Sequence, residues 1–282
     1  MFWLLSLCLV SAAHGYVIIS NDVPFLTYSG SAPLLIVPGG NVSHLHLQGT
    51  AKAEVVGGYV AHLNAQDFSE AIVSSGEISH VRLYDGARGV VSTSVSHVTA
   101  MGSWVSNGFD PGPANVNSHL NVTGGTFWTV NAWGSGITDV NGGTMQITAS
   151  DYQGTVNIHS GTVTEFVTAR YGVTNIYGGS IASVWSDISG EINIYGGLIN
   201  GIRDAQSLPI RVGDVHVYGR NLNYSGILGD TLTGFLSDGS IINAPVTLGV
   251  GRLHLHSIPE PATTHILIIL LIICGKLRVS RC

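Results

Sequence analysis

Residues 156–163 read VNIHSGTV, residues 174–181 read TNIYGGSI, and residues 192–199 read INIYGGLI. The three stretches are variants of one phrase, returning at the constant step from 156 to 174 to 192. The glycines extend the period. Gly125, Gly143, Gly161, Gly179 and Gly197 form one ladder, Gly136, Gly154, Gly172 and Gly190 a second, and Gly40, Gly58 and Gly76 carry the spacing toward the N-terminus. A fixed period of this length marks a repeat architecture in which each repeat is one supersecondary unit that buries its apolar face only against its neighbours.

Within a repeat, apolar residues stand five and three places before the reference glycine, as in Leu120 and Val122, Val156 and Ile158, or Ile192 and Ile194. Such alternation is a strand with both side chains on one face. Another apolar residue follows two places after the glycine (Phe127, Met145, Val163, Ile181, Ile199), and a further one five places after it (Val130, Phe166, Val184, Ile202). Each repeat is therefore two or three short strands joined at glycine corners, and the fold class is all-β: a parallel β-solenoid, or β-helix, of about 18 residues per coil. The period leaves the hand of the coil open. Division of the chain by the period places about eleven coils between Gly40 and Gly239. Residues 100–117, with Asn107-Gly108 and Pro111-Gly112-Pro113, break the register and read as an inserted loop; a shorter insertion lies at 207–212. Residues 232–256 read as a capping segment, so the solenoid domain spans 16–256.

The flanks differ from this body. Phe2 to Val10 is an apolar run followed by small residues that include Ala13 and Gly15, the pattern of a signal peptide cut before Tyr16. After His256 two prolines, Pro259 and Pro261, interrupt strand pairing. The chain then runs apolar from Ile266 to Cys274 and ends on Lys276, Arg278 and Arg281. A basic end stays on the cytoplasmic side of a membrane, which leaves the body outside. The stretch 262–277 is short against the roughly 20 residues of a membrane-spanning helix, so it implies transient membrane association. The cysteines are Cys8, Cys274 and Cys282. The body thus has neither a disulfide framework nor thiolate metal ligands. Without the three tail cations the chain carries 8 basic against 17 acidic residues, the reverse of the basic stripe that a nucleic-acid partner requires.

The order Pro259-Glu260-Pro261, apolar stretch, basic cluster resembles the PEP-CTERM sorting signal of exported bacterial proteins. The resemblance covers the tail, 257–282, and implies an exosortase-like processing protease as partner, acting near the Pro-Glu-Pro motif. It also implies a link to exopolysaccharide and a location at the cell surface, outer envelope or extracellular matrix. The closing segment, with Leu232 to Asn243 and then Val246 to Leu255, resembles the end of exported bacterial β-helix proteins that carry this tail.

Stacking repeats turns equal positions into rows. Asn121, Asp139, Asn157, Asn175 and Asn193 form one outward row; Thr123, Asn141, His159, Tyr177 and Tyr195 form the next, continued by Tyr218. Amides beside phenol rings suit contact with sugars, so Asn157, Asn175, Asn193, Tyr177, Tyr195 and Tyr218 are the candidate glycan face. Packing against the neighbours of the same row is the plainer role. His44, His62, His80 and His97 form a third row, with ring spacings that suit either a shared metal ion or a plain surface row. Asp151 and Asp187 share a repeat position two coils apart, about 9–10 Å, at the wide edge of the separation that an inverting glycosidase uses. The expected function is an exported, non-catalytic surface or matrix protein in contact with exopolysaccharide, with no cofactor. The alternative is a polysaccharide-active hydrolase or lyase of β-helix type using Asp151 and Asp187.

Overall fold

A computed structural model describes residues 15–101, 117–187, 189–204, 213–227, 229–247 and 252–259. They form a β-solenoid in one continuous sheet system, with parallel strands paired to the strands one repeat away. In the central coils a first strand such as Val173–Ile176 lies between residues 155–158 and Glu191–Ile194, in the register Val156↔Thr174↔Ile192. A second short side pairs Val163 with Ile181 and Ile181 with Ile199. A third side pairs Val167 with Val184 and Val184 with Ile202. The inward rows from all three sides make one core: Val156, Ile158, Val167, Ile176, Ile181, Val184, Ile192 and Ile194 are fully shielded from solvent. Three inward places hold threonine instead: Thr138, Thr148 and Thr174. Thr138 Oγ1 donates to Asn131 O at 2.9 Å, and Thr174 Oγ1 lies 2.9 Å from Ser150 Oγ, so these two hydroxyls are satisfied in the core, while Thr148 Oγ1 is buried without a hydrogen-bond partner.

The reference glycines sit at a corner with positive φ, 105° at Gly161 and 91° at Gly179. A Cβ on Gly179 would lie 2.8 Å from Gly161 O. The corner therefore needs glycine twice over, for its dihedral and for the approach of the coil beneath. Glycines of the other ladder have ordinary φ but come closer still to the preceding coil.

Three sequence expectations are corrected. Among the described residues the stack has about nine turns, not about eleven, because Val95–Met101 and Thr126–Trp133 are neighbours in the stack, as are Glu191–Ile194 and Asp214–Asn223, although more than one period separates each pair along the chain. Ala100 and Met101 are not in an insertion: they end the strand Val95–Met101 and pair with Ala132 and Trp133. Residues 102–116 and 205–212 lie outside the described residues. Phe166 is not the inward residue of its coil. Val167 takes that place against Thr148 and Val184, because one more residue separates it from Val163 than separates Thr148 from Met145. Phe166 turns outward and stacks on Trp185, centroids 4.4 Å apart at 11°.

The C-terminal end closes differently from the repeats. Asp214–Asn223 continues the first side on Glu191–Ile194. The chain then leaves the stack as an antiparallel hairpin, Thr231–Leu236 and Ile241–Thr247. The hairpin turn lies on the glycine corner of the coil below, where Asp238 Oδ2 accepts from Gly197 N at 3.0 Å. Val246 rejoins the third side on Ile202, and Arg252–Ser257 lies parallel on Asp214–Asn223 as the last rung. Among the described residues no helix is long and apolar enough to cross a membrane. Residues 1–14 and the sorting motif from Glu260 onward, with Lys276, Arg278 and Arg281, lie outside the described residues; Pro259 is exposed.

Candidate functional site

The first side of the solenoid carries the two predicted rows, and the structure brings them together. The amides form a hydrogen-bonded ladder. Asn157 Nδ2 donates to Asp139 Oδ1 at 2.8 Å, Asn175 Nδ2 to Asn157 Oδ1 at 2.9 Å, and Asn193 Nδ2 to Asn175 Oδ1 at 3.1 Å. Asn157 and Asn175 thus each spend one donor and one acceptor on their neighbours in the row. Asn193 also donates to Glu191 Oε1 at 2.7 Å, accepts from Tyr218 Oη at 3.4 Å and is buried.

The adjoining aromatic row is His159, Tyr177, Tyr195, Tyr218 and His256. Its centroid spacings are 5.0, 5.1, 4.5 and 4.4 Å and its interplanar angles are between 8° and 17°. Sheet spacing imposes this separation, and parallel stacking covers ring surface that would otherwise meet water. The consequence for binding is direct. Tyr177, Tyr195 and Tyr218 each have a ring on both faces, so they present edges and hydroxyls outward instead of open faces. Burial first, then the neighbouring Tyr218, pushes the Tyr195 phenol up, so it remains a neutral donor at physiological pH.

The predicted histidine row is present on the third side. His44, His62, His80 and His97 stack at 4.8, 4.7 and 4.8 Å. Burial chiefly, and then the adjacent imidazoles, push His62 and His80 below the ordinary histidine value, because a row of like cations at this spacing repels itself.

Beyond His97 the surface dips into an open depression of 490 Å³ lined by His80, Arg82, His97, Asn131, Trp133 and Asp151. Burial raises the pKa of Asp151, Arg170 opposes that rise, and the charge of Asp187 adds to it. Asp151 and Asp187 are therefore within electrostatic reach of each other, with the Arg170 guanidinium acting on Asp151 as well.

The sequence reading missed a constellation on the last rung. Asp214, His216 and His254 place one carboxylate oxygen and one nitrogen from each ring within 4.8 Å of one another. His254 Nε2 lies 3.1 Å from Asp214 Oδ1, and His216 Nδ1 lies 2.9 Å from His256 Nε2. The signal was present: 214–218 reads DVHVY and 252–256 reads RLHLH, two strands of one pattern with His at the same place. The step from His216 to His254 is not a multiple of the period, and the hairpin that accounts for it is not periodic.

No family model, no curated protein and no solved structure matches the chain. Its function is therefore read from its own residues.

Proposed function

We propose that the chain is an exported, non-catalytic β-solenoid of the cell surface or extracellular matrix that contacts exopolysaccharide along its Asn/Tyr face. The observation that supports this is the paired ladder of Asn157, Asn175, Asn193 and Tyr177, Tyr195, Tyr218 at rung spacing. It repeats the same donors and acceptors along the rod, which suits a polymer whose hydroxyls also repeat. Contact runs through tyrosine hydroxyls, ring edges and the remaining amide valences of Asn157 and Asn175, since the ring faces are occupied and Asn193 is buried at the end of its row. A flat polar face buries little ligand, so binding is weak, on the order of 0.1–1 mM or about 4–5.5 kcal/mol. The signal-like N-terminus and the PEP-CTERM-like tail support export, processing by an exosortase-like protease and transient membrane association. The acidic body argues against a nucleic-acid partner.

The test is a titration of anionic and neutral polysaccharides against the parent and the Tyr177→Ala/Tyr195→Ala double variant, with circular dichroism as the folding control. Binding by the parent and not by the folded double variant is expected. Equal binding by both rules out this face. A second reading, a polysaccharide-active enzyme, draws on Asp151, whose raised pKa beside a depression suits a general acid paired with Asp187. Release of reducing ends in the same titration, lost on Asp151→Asn, would favour it.

A further inference from the structure

The final strand docks where histidines of two rungs meet. In the register of Asp214–Asn223 against Arg252–Ser257, His216 faces His254 and Tyr218 faces His256. The rings of His216 and His254 stack at 4.6 Å and 13°, and Tyr218 stacks on His256 at 4.4 Å. Two of the contacts already have the length of a shared proton: Asp214 to His254 at 3.1 Å and His216 to His256 at 2.9 Å.

These distances approach those of a metal centre. With bonds of about 2.0–2.2 Å to imidazole nitrogen and carboxylate oxygen, the donors of a tetrahedral site stand about 3.4 Å apart. The Asp214–His254 pair is there already, and the widest separation in the triad, 4.8 Å at most, closes by turning side chains, with the strands left in place. His216 Nδ1 is engaged with His256, which leaves Nε2 for an ion. A ligating histidine whose other ring nitrogen is held by a hydrogen bond is the usual supporting arrangement around such ions. Glu191, one rung below, adds negative charge near His216. The side chains of Asp214 and His254 are 39% and 40% exposed, so an ion reaches the site from solvent.

We propose that Asp214, His216 and His254 bind a divalent transition-metal ion of the Zn²⁺ class, which clips the last rung of the solenoid onto the rung before it. Two imidazoles and one carboxylate select Zn²⁺, Ni²⁺ or Cu²⁺ over Ca²⁺ and Mg²⁺, which take oxygen ligands. Three protein ligands leave a position for water. The ion would join the two strands across the closing hairpin, directly ahead of Pro259. It would fasten the final rung, which among the described residues has a neighbour on one side only. The inference does not depend on the glycan reading.

The experiment is calorimetric titration of the full chain with Zn²⁺ alone, together with thermal melts with and without the ion. The parent should bind one equivalent at about 1 µM or tighter, and its Tm should rise with Zn²⁺ concentration as mass action requires. Asp214→Asn and His254→Gln should each weaken binding by about tenfold or more and abolish the Tm shift. His62→Gln/His80→Gln, on the other histidine row, should leave both unchanged. With Co²⁺ the parent should show the visible absorption of a four-coordinate centre, and His254→Gln should not. Should His254→Gln disturb the last rung by circular dichroism, the near-isosteric Asp214→Asn carries the decision. No binding in the parent overturns the proposal. So do several weak equivalents, a loss that follows His62 and His80, and undiminished binding by Asp214→Asn.

Discussion

Replacing Gly154 with alanine should unseat the middle of the stack, and the size of the effect follows from one close approach. Gly154 has an ordinary φ, so its dihedral would accept alanine. A Cβ there, however, lies 2.3 Å from Ala132 O and 2.5 Å from Ala132 C in the coil below, against 3.4 Å for ordinary contact. The obstruction is backbone on both sides, so two coils must part by about 1 Å, which stretches an inter-coil hydrogen bond beyond bonding range. One such bond joins these two coils at the site, Thr155 N to Gly136 O at 2.9 Å. Its loss costs about 1 kcal/mol, and forced overpacking adds about 1–3 kcal/mol. The expected destabilisation is therefore about 2–4 kcal/mol. It falls on a central repeat coupled to neighbours on both sides. Gly201→Ala is the control: its Cβ meets nothing closer than Arg203 Nε at 3.7 Å. There the narrowed unfolded ensemble should stabilise by about 0.4–1 kcal/mol. Urea denaturation followed by circular dichroism reads both. A Gly154→Ala stability within about 1 kcal/mol of the parent, at unchanged slope, would refute the argument from coil contact.

Two further outcomes are expected. His62, His80 and His216 have folded values lowered from 6.5. The unfolded chain therefore binds more protons once the pH drops below about 6.5. The stability they contribute is present above that pH and is lost as pH falls through the lowered folded values. Tm should be flat from about pH 8 to 7 and decline toward pH 5; His62→Gln/His80→Gln should flatten that decline, and an unaltered slope would contradict it. For sorting, mass spectrometry of protein from the native envelope should show loss of residues 1–15 together with processing or anchoring near Pro259-Glu260-Pro261. A chain with intact Met1 and intact Cys282 would end that reading.

The parts of this protein legible in its sequence are those fixed by local rules. A glycine ladder of constant step and period-2 alternation are properties of neighbouring residues. In a solenoid each coil meets only the next, so period and side-chain direction specify parallel side, inward row and corner together. Val156, Ile158 and Gly161 could be placed from the text alone, and so could the His44 to His97 row.

Tertiary structure decided what depends on residues that leave the period and return. Whether the stretch from Gly197 to Gly239 forms further coils or one turn has no local signature, because hairpin and coil strands share the same alternation. The residue added between Val163 and Val167 is regained at the next corner, so the glycine step stays constant while Phe166 and Val167 exchange faces. Stacking at sheet spacing closed the tyrosine faces that a list of aromatic residues leaves open. The Asp214, His216 and His254 cluster exists only because an antiparallel hairpin carries the chain out and returns it, in register from Arg252, beside its own earlier strand.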